Sequence, residues 1–363
     1  MSPDELIEWA TSVTGLSDFG ADDFSDGLAV LASSFAAEGG LTERGSRAAR
    51  AMLRGALAAR LVSEAGFGAL PAVPEISRPL IVTGLPRTGT TFMHRLLVAD
   101  PRHQGLELWI ANAPQPRPPR AEWAAQPAYQ AVAAGVARKG LLPHQLGPEQ
   151  VEECWQLLNQ SMRSVSFGCL AHVPSYMSWL SSQDWLPAYQ RHRRNLQLIG
   201  SNDADRRWVL KNPSHLFALD ALLAVYPDAL IVVTHRDPVI SVASMCSLAA
   251  RASSGWSTVF TGPVIGRTQL DLWADGLAAF TAARARYDPA QFCDVAYDDL
   301  VADPLTVVSR VYAQFGLTLT PSAADAMREL SGSAGDSSHR YSLADYGLTE
   351  TDVLDRIPVA AAR

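Results

Sequence analysis

Leu80-Ile81-Val82-Thr83-Gly84-Leu85-Pro86-Arg87-Thr88-Gly89-Thr90-Thr91-Phe92 runs from an apolar stretch through two glycines into Met93-His94-Arg95-Leu96-Leu97, which has helical character. A strand, a tight loop and a helix start aim backbone N–H groups and the positive end of a helix dipole at one point, where an anion is stabilised. Arg87, Thr88, Thr90 and Thr91 add side-chain donors around Gly89. An ordinary strand-to-helix turn does not call for so many small or hydroxylated residues. The loop departs from the nucleotide-triphosphatase pattern GxxxxGK[ST], because Thr90 stands where the lysine is required. A later apolar run ends in Thr234-His235-Arg236 and not in the Asp that would hold Mg²⁺. The expectation is a phosphate-bearing ligand bound without a metal.

Working outward, further apolar runs occur at Trp208-Val209-Leu210, Leu230-Ile231-Val232-Val233 and Phe292 to Tyr297. Short continuous runs rich in β-branched residues fit strands buried on both faces of a parallel sheet. Helical patterns lie between them at Ser214 to Val225, Pro238 to Arg251, Thr268 to Tyr287 and Leu300 to Phe315. The alternation predicts a three-layer α/β fold with a central parallel sheet and a P-loop-like core. Residues 1–76 read as a helical N-terminal cap, with Leu53, Leu57, Leu61 and Val62 on one face, and residues 77–363 as the α/β domain. An insertion at about 104–205 carries five of the nine tryptophans, Trp109, Trp123, Trp155, Trp179 and Trp185, as a lid, an acceptor wall or a helical subdomain would.

Composition sets the bounds. The chain has 363 residues, 48% hydrophobic and 18% charged, which excludes disordered and fibrous classes. Thirty Lys and Arg against 37 Asp and Glu give a net charge of −7, which argues against a broad grip on nucleic acid or anionic lipid and leaves room for a local basic pocket. No secretory signal pattern and no membrane-spanning stretch is present, so a cytoplasmic location is expected. Cys154, Cys169, Cys246 and Cys293 are too scattered for a zinc site or a disulfide framework. Only Lys139 and Lys211 are lysines; the other 28 basic residues are arginine, so a retained lysine draws notice.

Gly84-Leu85-Pro86-Arg87-Thr88-Gly89-Thr90-Thr91 resembles the 5′-phosphosulfate loop of sulfotransferases that use 3′-phosphoadenosine 5′-phosphosulfate (PAPS), in the bacterial form with Arg where animal enzymes have Lys. Thr234-His235-Arg236-Asp237-Pro238, with Ser244 eight residues after the arginine, resembles that family's second signature. There, an arginine and a serine at this spacing hold the 3′-phosphate. Val295-Ala296-Tyr297-Asp298-Asp299-Leu300 is similar to the family's strand-end element, whose tyrosine lies near adenine. Ser338-His339-Arg340-Tyr341-Ser342-Leu343 resembles an element that closes over the nucleotide. The resemblance implies Arg87, Thr88, Gly89, Thr90, Thr91, Arg236, Ser244, Tyr297, His339, Arg340 and Tyr341 as donor-binding residues. It also implies PAPS as sulfuryl donor, 3′-phosphoadenosine 5′-phosphate (PAP) as product, no metal, and a small-molecule hydroxyl as acceptor.

Sulfuryl transfer needs in-line approach, cations at the bridging oxygen and a base for the acceptor proton. Arg87 supplies one cation, and Lys211, after Trp208-Val209-Leu210, supplies a second at a strand's carboxyl end. Animal cytosolic members have a histidine two residues after their lysine, where Pro213 stands here. Two candidates for the base follow. His215 reads as lying in the first turn of a helix facing the cleft. Glu153, in a Glu-Cys stretch similar to bacterial relatives, competes with plain solvation, because Val151, Trp155, Leu158 and Met162 form a stripe that would put it on the opposite helical face. The rival functions are a small-molecule or nucleotide kinase and a non-catalytic PAP-binding module.

Overall fold

A computed structural model describes residues 1–138, 147–332 and 342–358. Five strands, β1 (Leu80–Gly84), β2 (His103–Gln104), β3 (Arg207–Lys211), β4 (Leu230–His235) and β5 (Phe292–Ala296), form one parallel sheet in the order β2-β3-β1-β4-β5. The four apolar runs are strands, as expected. β2 adds a fifth, a two-residue edge strand too short to carry a periodic signal. Among the described residues, no helix is long and apolar enough to cross a membrane.

Side chains alternate across the strands and divide the core. Leu80, Val82, Val209, Leu230 and Val232 pack with Met93, Val308 and Val311 of the helices Thr90–Val98 and Pro304–Gln314. Ile81, Leu210, Ile231 and Val233 face the opposite layer, with Val242 of the helix Pro238–Ala252 and Trp273 of the helix Gly262–Arg284. That second layer also takes in the N-terminal helices Pro3–Thr14, Ser25–Ala37 and Glu43–Ala69, on which Leu53, Leu57 and Leu61 are fully buried. Trp109, Tyr176 and Tyr189 of the insertion join the same cluster, so the insertion's aromatics are largely core. Arg60 and Arg191 fasten the two together. Arg60 bonds Asp23 and donates to the Gln160 carbonyl at 3.0 Å, and Arg191 pairs with Glu64 at 2.8 Å.

Two helix expectations change in detail. The stretch 214–225 divides into a 3-10 turn, Pro213–Phe217, and a short helix, Leu219–Val225. The stretch 300–315 divides into Tyr297–Ala302 and Pro304–Gln314. Pro304 cannot continue a helix, and Asp303 caps the new one through the Thr306 N–H at 3.1 Å. Tyr297, read as the last residue of a strand, instead opens a helix.

Pairing fixes the geometry at the carboxyl edge. β1 lies between β3 and β4, with Val82 beside Lys211 and Gly84 beside Thr234. The strand order reverses there, which opens a crevice for ligands. Gly84 is confined, because its φ is +133° and a Cβ would sit 2.4 Å from the Thr234 carbonyl oxygen. Gly84→Ala is therefore expected to lower stability by about 2 kcal/mol or more, read as a lower urea midpoint at unchanged slope. An unaltered midpoint would show that the close approach carries no constraint.

Candidate active site

Four chain segments build a cationic cradle at that edge. Arg87, in the loop after β1, has a left-handed backbone (φ +71°), an exposed side chain and an Nε that donates to Ser244 Oγ at 2.9 Å. Ser244 lies on the helix Pro238–Ala252, whose start is fixed by the Asp237 carboxylate accepting the Val239 N–H at 2.8 Å. Arg236, just past β4, donates to the Arg87 carbonyl at 3.2 Å and stacks its guanidinium over Tyr297, 3.9 Å from the ring centre. Among the described residues, neither arginine has a carboxylate partner within ion-pair distance. Two cations without a carboxylate partner beside a helix start make an arrangement that can hold an anion.

The loop residues take different parts. Gly89 adopts φ +92° as N-cap of the helix Thr90–Val98, and a Cβ there would come 3.1 Å from the Tyr297 ring. Thr88 turns inward, its hydroxyl donating to the Leu85 carbonyl and lying 2.6 Å from Thr234 Oγ1, so its side chain stitches the loop to β4. Thr90 is buried as well, and Thr91 is exposed. His339, Arg340 and Tyr341 lie outside the described residues, as does Lys139.

Lys211, 3% exposed at the end of β3, pairs its Nζ with Glu153 Oε1 at 2.6 Å. Glu153 precedes the helix, which begins only at Trp155; the Cys154 N–H bonds the Lys211 carbonyl at 3.1 Å. The opposite-face expectation for Glu153 therefore fails, because residues 151–153 are not helical and their side chains follow no helical stripe. Burial raises the neighbouring Glu152 carboxyl above its ordinary range, against the pull of the Lys211 charge.

The structure brings Arg87, Arg236, Ser244, Tyr297, Lys211 and Glu153 to one end of the sheet, but not the imidazole of His215. His215 is 1% exposed in the Pro213–Phe217 turn, with Nδ1 2.7 Å from the Tyr189 hydroxyl and Nε2 3.4 Å from Cys154 Sγ. Burial, helped by neighbouring His192, holds its pKa well below the ordinary value. It does not reach the cleft that the sequence reading assigned it.

Beside the Lys211–Glu153 pair opens a cavity of about 250 Å³, its walls including Pro86, Glu153, Trp155, Asn212, Met245 and Trp273. The wall is mainly apolar. Sequence reading offered the tryptophan-rich insertion as a lid, an acceptor wall or a helical subdomain; its Trp155, Ser166, Cys169 and Leu170 line this cavity, Trp109 is wholly buried elsewhere, and much of the remaining wall comes from the helices Pro238–Ala252 and Gly262–Arg284. The spacing of Met245, Leu248, Ala249 and Ala252 was visible in sequence, but such a stripe ordinarily marks core. Among the described residues, no group of three His, Cys, Asp or Glu comes together as a metal site.

Comparison with known proteins gives the chain's family and its structural neighbours. The family model described as the sulfotransferase family matches residues 79–321. Omega-hydroxy-beta-dihydromenaquinone-9 sulfotransferase Stf3 of Mycobacterium bovis and of Mycobacterium tuberculosis are each 27% identical over 246 residues, or 66% of this chain. The match spans 63% of those relatives' length. The crystal structure of sulfotransferase STF1 from Mycobacterium tuberculosis H37Rv superimposes with a TM-score of 0.91 at 53% identity, covering 99% of this chain and 98% of that one. Sulfotransferase STF9 from Mycobacterium avium gives 0.89 at 28% identity, covering 98% and 95%.

Three buried histidines predict a pH dependence. Burial holds His94 and His192 at about 3, with the Lys211 charge contributing at His94, and His215 is also strongly depressed. In the unfolded chain each takes up a proton near its ordinary value of about 6.5. The unfolded state then binds more protons, so stability is complete above that pH and falls as pH drops through it. The slope is about 1.4 kcal/mol per pH unit for each histidine. Urea unfolding between about pH 7.5 and 5 checks this; a constant midpoint would mean that these groups titrate normally in the fold.

Proposed function

The chain belongs to the sulfotransferase family, and on that premise we propose that it transfers a sulfuryl group from PAPS to the hydroxyl of an apolar acceptor. One observation carries the reading: the cradle and the cavity share a wall. Pro86 of the anion loop and Glu153 both line the cavity, while Lys211 holds Glu153 and stands beside β1. Donor and acceptor sites are thereby adjacent, as in-line transfer requires.

Each residue has a task in the transfer. Arg236 offers a planar fork and Ser244 a neutral hydroxyl to the 3′-phosphate, with Tyr297 under the guanidinium near the base. The loop amides from Arg87 to Thr91 hold the 5′-phosphosulfate. Glu153 takes the acceptor proton as the acceptor oxygen forms its bond to sulfur. The bond from sulfur to the bridging oxygen breaks, and its electron pair stays on the 5′-phosphate. Lys211 and Arg87 neutralise that charge, for which Lys211 turns from Glu153 toward the bridging oxygen. His215 braces Cys154 from behind and positions the carboxylate's neighbour. The apolar wall and the relatives' hydroxylated menaquinone together favour a lipid-like alcohol or phenol as acceptor.

Two experiments test this. PAP is expected to raise the melting temperature well above the effect of AMP, without added metal, and Arg236→Ala to weaken PAP binding by roughly 2 to 4 kcal/mol. Equal stabilisation by the two nucleotides, or a strict Mg²⁺ requirement, would overturn the donor assignment. Lys211→Ala and Arg87→Ala are expected to slow turnover by a factor of about 10² or more on any acceptor. Glu153→Gln is expected to slow transfer to an alkyl alcohol far more than to an acidic phenol, whose proton is already loosely held. His215→Asn, away from the cleft, is expected to show no such acceptor dependence; if it does and Glu153→Gln does not, the base is misassigned.

A further inference from the structure

We infer that the side-chain amide of Asn212 holds the acceptor oxygen and makes the site selective for hydroxyls over amines. The inference rests on the sulfuryl-transfer reading above. Asn212 follows Lys211 in extended backbone, 1% exposed, and is fixed on three sides. Its N–H donates to the Val82 carbonyl at 3.2 Å, and its carbonyl accepts the Thr83 hydroxyl at 3.1 Å. Its Oδ1 accepts the Ser214 N–H at 2.9 Å and so caps the Pro213–Phe217 turn. That last bond settles the orientation of the amide. A backbone N–H needs an acceptor, so the oxygen faces Ser214 and the NH₂ group faces away from it.

There the amide nitrogen is buried, and among the described residues no oxygen or nitrogen accepts from it. The Cys154 sulfur is close enough for Asn212 to pull that thiol's pKa down against the larger effect of burial, but a thiol sulfur is a weak acceptor. A buried donor without an oxygen or nitrogen partner is costly, and such a group calls for a water or a ligand atom to complete it. Asn212 lines the same cavity as Glu153, and an atom of the acceptor is assigned as the missing partner.

Counting electron pairs gives the chemical class. A hydroxyl oxygen carries one hydrogen and two lone pairs. Its hydrogen goes to Glu153, one lone pair attacks sulfur, and the other accepts the Asn212 N–H. Every position is used, and the oxygen is oriented. A neutral amine nitrogen has a single lone pair, which must attack sulfur, so Asn212 stays unpaired in its transition state. A site that leaves its own buried donor unpaired rejects that substrate strongly.

Asn212→Ser is the informative variant, because serine keeps a capping oxygen, adds no charge and has too short a side chain to supply the amide donor. With PAPS, 2-naphthol and 2-naphthylamine serve as probes. The variant is expected to lose about tenfold or more in kcat/KM for the naphthol while the amine changes less than about twofold, and PAP affinity stays at the wild-type level. Equal losses on both probes, or a matching loss of PAP affinity, would make Asn212 merely structural and overturn the inference. A crystal structure of the wild-type PAP complex tests the same point without turnover. An ordered water about 2.7 to 3.2 Å from both Asn212 Nδ2 and a Glu153 carboxylate oxygen is expected, standing where the acceptor oxygen goes. An amide bonded instead to a protein group would overturn the inference. A wild-type protein that PAP does not stabilise would sink the donor reading itself, which separates the two failures.

Discussion

Every charged group of the site depends on the register of one central strand. β1 is hydrogen-bonded on both sides, with Val82 level with Lys211 and Gly84 level with Thr234. A slip of one residue in a parallel pair would turn alternate side chains to the wrong layer, moving Ile81 and Val82 between two different cores. That cost locks the register. Once it is locked, the anion loop, the lysine and the arginine emerge at the same edge, and the close contact of Gly84 with Thr234 holds the first and last of them together.

The pair at that edge answers two demands with one contact. A lysine only 3% exposed would be strongly destabilising if left unpaired, and Glu153 at 2.6 Å offsets the loss of hydration. Glu153 remains 30% exposed, on the side where the cavity opens. The carboxylate is therefore both the lysine's counter-ion and part of the cavity's lining. In a chain where arginine serves nearly every other cationic position, lysine suits the partner-changing role proposed for this one, because it is a compact charge on a flexible stem.

The layer behind the pair is buried and cross-linked by hydrogen bonds. His215, Tyr189 and Cys154 form a buried polar chain inside a cluster shared by the N-terminal helices, the insertion and one face of the sheet. Buried Arg60 and Arg191 tie those parts through bonds to Asp23, Glu64 and Gln160, so the wall that supports Glu153 cannot shift without breaking several of them. The cavity's own lining, by contrast, comes from side chains such as Trp155, Met245 and Trp273, which can vary in size without disturbing the cradle.

The sheet, the anion loop and the basic strand end were legible in the sequence because each is a local signal. Continuous apolar runs mark buried parallel strands, glycines mark left-handed turns, and the residues from Gly84 to Thr91, with Arg236 and Ser244, keep their spacing along the chain. Which side chains line the cavity was only partly legible, for a physical reason. Glu153 was one of two candidates for the base, set against plain solvation by an apparent helical stripe, until the helix was seen to start at Trp155. His215 looked like a cleft residue until both ring nitrogens were found engaged in the core. Trp273 and Met245 have the spacing of ordinary core, and only the packing of two distant helices turns them toward a cavity. By itself the sequence determined the order of the strands along the chain and the chemistry of the anion loop, because neighbouring residues encode both. The tertiary structure alone decided which carboxylate meets Lys211 and which amide lacks a partner, because those facts are contacts between segments far apart in the chain.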